Sequence, residues 1–574
     1  MPARRQLAAV AAAVAAAVAA VALVACGATH DETGSPRPGR VAPSETLITP
    51  APPEATEATQ RHPNLLVIEA DDLRWDDLRW MPNVRHLIQR EGLSFENSFA
   101  PYPLCCPSRV SFLTGEYAHN HHVYSHVDPF GFGSFHDRRT IATVLQKAGY
   151  RTALVGKYVN GYGDQPVRST GEPSLKYVPP GWTQWMAGSD HTWHPGDPFR
   201  GGTYDYFALV QNVNGKIVAS PDRYSTDVLA GQTRGVIEDF GRHRDPWFVW
   251  WTPIAPHHGS PTESDDPAVS RRTDGLSTTW VTPARPDWVK GRFDSRITHG
   301  AGTPPNGSAE EDTSDKPRYL RKLPELTPDE RAAETEITRQ RAESLFVLDV
   351  QIGKTISELS RSGQLANTVI MVTSDNGYYL GEHRKRQGKI NLHEPSLRVP
   401  WVLAGPGVPK GKRYDPVSTV DIAPTLAAYA GVRMAGADGL DLTPLIGQGD
   451  RGWGRPVVTE GMMSEGRYAV RHGLGPTPLN TRGLRLGRWK ITRYSAGEVE
   501  LYDLANDPLE LRNLARVPQY ADVLTDLKGL YRRYSDCRGM ACAVALPKKY
   551  QVSASESRRI TENQKRATRT YFGD

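Results

Sequence analysis

Short apolar runs separated by helix-spaced segments limit what this chain can fold into more than any other feature. The run 64-NLLVIEA-70 is apolar, β-branched and bounded by Pro63 and two acids, which suits a buried strand. Similar strands are expected at 151–155, in 247-WFVWWTP-253, in 368-TVIMVTS-374 and in 399-VPWVLAG-405. Helical signals lie at 82–91 and 140–148. In the charged stretch 328–361, Leu345, Leu348, Ile352, Ile356 and Leu359 share one helix face. Strands alternating with helices predict an α/β sheet, largely parallel and covered on both faces. The segment 262–327 is polar, proline-rich and unperiodic, and is expected to be a surface insertion. After about residue 455 the pattern changes. Here 456-PVVTEG-461, 467-RYAVR-471, 484-LRLGRWKITRY-494 and 499-VELYDL-504 read as short antiparallel strands, with a terminal helix near 519–534. The expected division is a large domain at 61–455 and a smaller α+β domain at 456–574, which 574 residues can accommodate.

The first 60 residues lie outside that fold. Arg4 and Arg5 precede the apolar run 7-LAAVAAAVAAAVAAVALVA-25, which reads as an export signal. Its end, 23-LVAC-26, resembles a bacterial lipobox, so Cys26 is expected to carry a lipid that holds the protein at the cell-surface membrane. A secreted form is the alternative, and an unprocessed run would be long enough to anchor in a bilayer. Residues 27–60 have little apolar content and read as a disordered tether. The net charge of +5 fits an anionic substrate. No dense Lys/Arg face with interleaved aromatics marks a nucleic-acid binder. Of the five cysteines, those in 537-CRGMAC-542 can close a small disulfide loop outside the cytoplasm. A four-ligand zinc site lacks a second pair nearby. Cys105 and Cys106 remain.

Two acidic pairs follow strands at equivalent places, Asp71 with Asp72 and Asp375 with Asn376. In open α/β sheets ligands gather at the carboxyl edge, and four oxygen-bearing side chains there suit a hard cation. Either pair alone could equally cap a helix or start a turn. Asp76 and Asp77 are assigned that structural role, and Glu69 none. In 104-LCCPSRVSFLTG-115, Pro107 suits the first turn of a helix, with Val110, Phe112 and Leu113 available for burial. Cys105 would then sit at the helix N-terminus, where backbone N–H groups favour an anion, and Arg109 stands one turn on.

The stretch 103-PLCCPSRVSFLTG-115 resembles the signature of the type I sulfatase family, Cys-x-Pro-Ser-Arg with a Thr-Gly ending. Further matches to that family are 149-GYRTALVGKY-158, which supplies Lys157, the block 374–407, which supplies Lys389, and 500-ELYDLANDPLELRNLA-515. The stretches 116-EYAHNHHV-123, 156-GKYVNGYG-163 and 253-PIAPHH-258 resemble the N-acetylglucosamine-6-sulfatase and extracellular heparan sulfatase branch.

The resemblance implies an alkaline-phosphatase-like sheet and oxidation of Cys105 to formylglycine by a formylglycine-generating enzyme that reads the unfolded chain. It implies one divalent cation, Ca²⁺ before Mg²⁺, on Asp71, Asp72, Asp375, Asn376 and residue 105. Arg109, Lys157 and Lys389 would hold sulfonyl oxygens. Asp375 would accept the proton of the hydrated aldehyde, whose hydroxyl attacks sulfur. His257, helped by Lys389, would protonate the leaving oxygen, and the second hydroxyl would expel the covalent sulfate. The expected partner is a sulfated carbohydrate, with aromatic residues of the loop 160–205 suited to stacking on sugar. One departure stands out. Many relatives carry histidine where this chain has Val159, so the base for the elimination step is unidentified, and 119-HNHH-122 is either a substitute or a cluster serving loop hydrogen bonds or sugar contact. His119, His121 and His122 could also suggest zinc, but no matching acidic or cysteine partner accompanies them, and the same applies to His191 and His194. Two other readings stay open: a phosphate or phosphonate monoester hydrolase on the same scaffold, and an inactive glycan-binding surface lipoprotein.

Overall fold

The computed structural model describes residues 62–307, 309–461, 481–495 and 497–573. The export run, the tether, Cys26 and the strand expected at 467–471 lie outside these residues. No helix among the described residues is long and apolar enough to cross a membrane.

A ten-stranded sheet forms the centre. Its strands are β1 (Asn64–Ala70), β2 (Leu93–Phe99), β3 (Arg151–Gly156), β4 (Gln184–Gly188), β5 (Ala208–Val213), β6 (Lys216–Pro221), β7 (Trp247–Thr252), β8 (Thr368–Ser374), β9 (Val402–Ala404) and β10 (Gly411–Ser418). They run in the order β10-β2-β9-β8-β1-β7-β3-β4-β5-β6. The middle of the sheet, from β8 through β1, β7 and β3 to β4, is parallel. Strand β9 pairs antiparallel with both β8 and β2, and β5 and β6 add an antiparallel edge.

Strand β1 shows why its sequence is apolar throughout. Leu65 and Val67 point into one core cluster, while Leu66, Ile68 and Ala70 point into another. Both faces are therefore dry, as in a sheet covered by helices on each side. Helices α1 (Cys105–Thr114) and α2 (Ile141–Lys147) cover the first face. Helices α3 (Ser225–Gly241) and α4 (Pro328–Arg361) cover the second. The start of α4 is fixed by a capping box. Thr327 Oγ1 accepts the Glu330 N–H at 3.3 Å, and Glu330 Oε2 accepts the Thr327 N–H at 3.0 Å. All five residues of the expected α4 stripe are buried, each contributing on the order of 1.5–3 kcal/mol by leaving water.

Two expectations change. The helix expected at 82–91 is a short turn, Pro82–Val84, running into a wider π-helical turn, Arg85–Gln89. Asp349 of α4 holds its start, accepting the Asn83 and Val84 N–H groups at 2.9 and 2.8 Å. The segment 262–327 is exposed along much of its length but is packed onto the body of the protein at several points. It has little regular structure beyond the paired two-residue strands Ser270–Arg271 and Ser277–Thr278. Yet Trp280, Val289, Phe293 and Leu320 are buried, and Arg285 joins Glu263 and Asp265 to Glu343 on α4. These anchors are too widely spaced to give a periodic signal.

A second sheet, β11 (Val457–Gly461), β12 (Thr481–Arg485), β13 (Trp489–Tyr494) and β14 (Val499–Asp503), is antiparallel throughout. Helix α5 (Ala521–Tyr534) follows it, and Cys537 is bonded to Cys542. A last helix, α6 (Ala554–Phe572), was not expected. Its buried face reads Ile560, Gln564, Thr568, Phe572, too polar in the middle to stand out as an apolar stripe.

Candidate active site

The register of two neighbouring strands assembles the acids. Strand β1 pairs with β8 so that Ala70 lies opposite Ser374. The next residues on each, Asp71–Asp72 and Asp375–Asn376, therefore emerge side by side at the carboxyl edge. All four are fully buried. Asp72 adopts φ +67°, a left-handed conformation that aspartate tolerates better than most residues. Its N–H donates to Asp375 Oδ1 at 3.1 Å, and the Leu73 N–H donates to Ser374 Oγ at 2.9 Å. The strained turn is thus pinned to the neighbouring strand.

Cys105 is the first residue of α1, also fully buried, with its Sγ donating to Asp71 Oδ1 at 3.2 Å. Lys389 Nζ donates to that Sγ at 2.7 Å and also reaches Asp72 Oδ1. Lys157 Nζ donates to Asp71 Oδ2 at 2.6 Å. It follows Gly156, whose φ of +121° and lack of a side chain are both required, because a Cβ there would lie 2.2 Å from the Thr252 carbonyl oxygen. Arg109 donates from Nε to Asp375 Oδ2 at 2.9 Å and from Nη1 to the Lys157 carbonyl at 3.1 Å. Past the end of β7, His257 puts Nε2 3.7 Å from Asp72 Oδ2. The donor atoms of Asp71, Asp72, Cys105 and His257 all lie within 4.8 Å of one another. Every residue expected at the site is therefore in one cluster.

Charge and burial pull these groups apart. Burial raises the Asp71 carboxyl, but Lys157, His257 and Arg109 outweigh it and hold it well below the usual range. For Asp375 burial wins, with Asp71 adding to it and Arg109 opposing, and the value is pushed up to about 6. Burial and then Asp375 and Asp71 push the Cys105 thiol well up, so the sulfur keeps its proton and is a poor nucleophile as it stands. Burial lowers His257 to about 3. Its Nδ1 lies 2.7 Å from the His258 carbonyl and donates to it, leaving a lone pair on Nε2. Lys389 stays protonated, because Asp72 and its neighbours outweigh burial. Glu69, assigned no role from sequence, is raised to about 8 by burial and accepts from Trp250 Nε1 at 2.9 Å.

The oxygen set fits a hard divalent cation. Asp72 Oδ2 and Asn376 Oδ1 are buried and accept no hydrogen bond, so they remain available as donors alongside Asp71 and Asp375. A thiol sulfur is a soft partner for such a cation, whereas an oxygen on the same carbon would match it. That mismatch fits an oxidised residue 105. Cys106 lies in the apolar core and donates weakly to the Asn160 carbonyl at 3.5 Å, as a packing residue would.

Val159 is 2% exposed and packs into the core, leaving no polar group at its position. The 119–122 cluster does not replace it. His121 pairs with Ser111 Oγ and His122 with the Tyr124 hydroxyl. His119 joins Glu460 Oε1 and the Cys537 carbonyl, both at 2.7 Å, so both ring nitrogens donate and the ring is an imidazolium. Burial lowers His119 and Glu460 more than reverses this, leaving it raised. A histidine raised on folding stabilises fully below its unfolded value, about 6.5, and loses that contribution as pH climbs through the folded value. The unfolding temperature should therefore fall along this limb as pH rises, and His119→Gln should flatten it. Thermal scans from about pH 5.5 to 8.5 check this, and an unaltered limb in the variant rules the pair out. His191 bonds the Gly163 carbonyl at 3.2 Å, and the His194 backbone N–H donates to Asp197 Oδ2 at 2.6 Å.

Two residues were missed. His126 is partly exposed, but its Nε2 is buried and has no hydrogen-bond partner. Burial, then the charges of Lys389 and Lys157, hold its ring neutral. Tyr204 places its ring 5.0 Å from Lys157 Nζ and 4.8 Å from the His257 ring. Neither sits in a patterned stretch, and the aromatic content of 160–205 was the one available signal.

Residues 63–432 match the family model described as Sulfatase, and residues 381–535 match one described as N-sulphoglucosamine sulphohydrolase, C-terminal. An arylsulfatase of Chlamydomonas reinhardtii is 30% identical, over 85% of this chain and 77% of its own. An N-acetylglucosamine-6-sulfatase of Homo sapiens is 27% identical, over 71% of this chain and 69% of its own. In fold, the chain resembles the solved structure of a protein in complex with its substrate D-glucosamine-2-N,6-O-disulfate. That likeness has a TM-score of 0.62 at 20% identity, over 82% of this chain and 97% of the other.

Proposed function

The chain belongs to the sulfatase family and is a sulfuric ester hydrolase, and from that premise we propose that it removes sulfate from O-sulfated sugars such as N-acetylglucosamine-6-sulfate. The observation that carries the reading is the buried cluster of Asp71, Asp72, Asp375 and Asn376 around Cys105, flanked by three fixed cations. The relatives' names support a sulfated sugar, and Tyr204 offers an aromatic face beside the site. The same reading divides the chain into a catalytic part, 61–455, and a C-terminal part, 456–574. It also makes it an exported protein held to a membrane by a lipid on Cys26.

Asp71, Asp72, Asp375 and Asn376, with residue 105, would hold one divalent cation, Ca²⁺ or else Mg²⁺, which supplies charge to offset sulfate and to acidify a neighbouring oxygen. Conversion of Cys105 to formylglycine supplies, as the hydrate, one hydroxyl to attack sulfur and a second whose deprotonation regenerates the aldehyde. The protein's own groups do the rest. Arg109, Lys157 and Lys389 fix the sulfate oxygens by charge-assisted hydrogen bonds and need no reorganisation, since each is already anchored on a carboxylate. Asp375, poised near neutrality, takes up a proton at Oδ. The proton for the leaving sugar oxygen comes from the His257–Lys389 pair, in which Lys389 Nζ is the protonated member. His126 Nε2, the unused acceptor, takes the proton that histidine in place of Val159 would take in other sulfatases.

His126→Ala should cut steady-state turnover by roughly 10²–10³-fold while a rapid first release of the sugar alcohol persists, as when the second half of a two-step reaction is slowed. Stopped-flow and steady-state rates read both, and an unchanged kcat removes His126 from this role. The reading as a whole is tested by assaying the purified chain in parallel on N-acetylglucosamine-6-sulfate, an aryl sulfate and an aryl phosphate. Sulfate esters should turn over faster. Turnover of the phosphate alone would make it a phosphate monoester hydrolase.

A further inference from the structure

Away from the catalytic cluster, a cleft with a volume of about 640 Å³ opens beside the far end of α1. Its walls carry Arg138, Arg139, Arg168, Arg538, His122 and His136, all exposed. Among the described residues none of these four arginines is in an ion pair. Arg168 donates from Nη1 to the Ser134 carbonyl at 2.8 Å, and Arg538 donates from Nε to Asn120 Oδ1 at 3.3 Å. Some exposed arginines elsewhere face carboxylates, as Arg559 does Glu556 and Arg242 does Glu238. Four like charges on one concave wall repel each other, and low-dielectric walls focus their field. Such an arrangement is relieved by an anion.

We propose that this cleft is a docking site, separate from the catalytic centre, for a polysaccharide bearing several sulfate or carboxylate groups. The chemistry favours that partner over other polyanions. The planar guanidinium fork matches two oxygens of a sulfate at once. Glu116, partly exposed, stands among the arginines and offers an acceptor for sugar hydroxyls. A nucleic acid would want exposed Phe, Tyr or Trp faces for base stacking, and the one such ring lining the cleft, Phe135, is 2% exposed. A bilayer would press a flat array of headgroups against a concave wall holding two carboxylates. The cleft also adjoins the catalytic site through one rigid element. Helix α1 has Cys105 at its first residue and Thr114, a cleft residue, at its last, so its ten residues separate the two by about 15 Å. A chain held in the cleft would raise the local concentration of its sulfates at the catalytic centre. This benefit rests on the sulfatase reading, whereas the binding itself does not.

The test uses the full chain with Arg138, Arg139 and Arg168 all changed to alanine, none of which belongs to the catalytic cluster. The probes are a heparin-type octasaccharide and N-acetylglucosamine-6-sulfate. The variant should bind the octasaccharide ~10-fold to ~100-fold more weakly, as the loss of three exposed charge contacts implies. Binding of the parent should weaken with salt. On the monosaccharide, kcat/KM should stay at the parent value. Unchanged octasaccharide affinity in the variant overturns the proposal. So does equal loss on both probes, or competition by duplex DNA or anionic vesicles as strong as that of the octasaccharide at matched charge. Should the parent bind the octasaccharide but hydrolyse no sulfate, the function proposed above falls while the docking site stands.

Discussion

Replacing Cys105 with alanine is expected to abolish turnover, by on the order of 10⁵–10⁶-fold, the scale at which an enzyme loses its covalent nucleophile. The fold should be untouched. Residue 105 is the first position of α1, where alanine is a good helix former, and Lys389 keeps its contact to Asp72 when the sulfur is gone. Cys106→Ala is the matched control. It removes a thiol of similar burial one residue away, from the apolar core, and should leave kcat within a few-fold of the parent. Sulfate release measured beside thermal unfolding separates the two. An alanine variant at 105 that keeps its rate would leave the reaction with no nucleophile in this protein, since the other residues of the cluster hold charge or protons.

Asp375→Asn carries the second large effect. The change keeps the shape and one oxygen but removes a full charge from a buried carboxylate between Asp72 and Arg109. A hard cation loses charge in its donor set, and the parent's cation-dependent stabilisation, about 2.7 kcal/mol at a hundredfold excess over Kd, should largely disappear in the variant at the same concentration. Rate should fall by roughly 10²–10³-fold, because proton uptake and sulfate orientation fail together. Arg109, fully buried, loses its partner, and an unpaired buried charge costs about 3–5 kcal/mol. Glu69 offers a partial remedy. Its proton is held chiefly by burial, against the pull of Arg109 and with help from Asp375, so removing the Asp375 charge eases its ionisation while burial still opposes it. Thermal scans with and without Ca²⁺, together with kcat, test the argument. Equal cation-induced shifts in parent and variant would take Asp375 out of the binding set.

What the sequence disclosed follows from where physical signals are strong. Strands β1 and β8 are buried on both faces and followed by acids, so both the strands and the donor pairs could be read from short stretches. Their proximity could not, because it depends on a register formed across some 300 residues, Ala70 opposite Ser374. The motif around Cys105 carried its own chemistry. His126 escaped because a lone loop histidine has no pattern, and its meaning lies in an unpartnered nitrogen that feels the charge of two lysines. Helix α6 escaped because Gln564 and Thr568 sit on its buried face, where Gln564 bonds Glu394 and Arg398. The packing of 262–327 escaped because a few anchors, above all Arg285 and Trp280, hold a segment with almost no repeating structure.

The covering of Cys105 by Lys389 sets a clock. The two residues are 284 positions apart, so a ribosome adding about 5–20 residues per second needs roughly 15–60 s to deliver the lysine after the cysteine. For that interval the sulfur cannot be enclosed, and any agent that alters it works unhindered. Once the strand carrying Asp375 and the loop behind it dock, the opportunity closes. On the formylglycine reading proposed above, the proportion of competent molecules would then be decided by translation speed and the supply of that agent, and prolonged incubation of finished protein would not improve it.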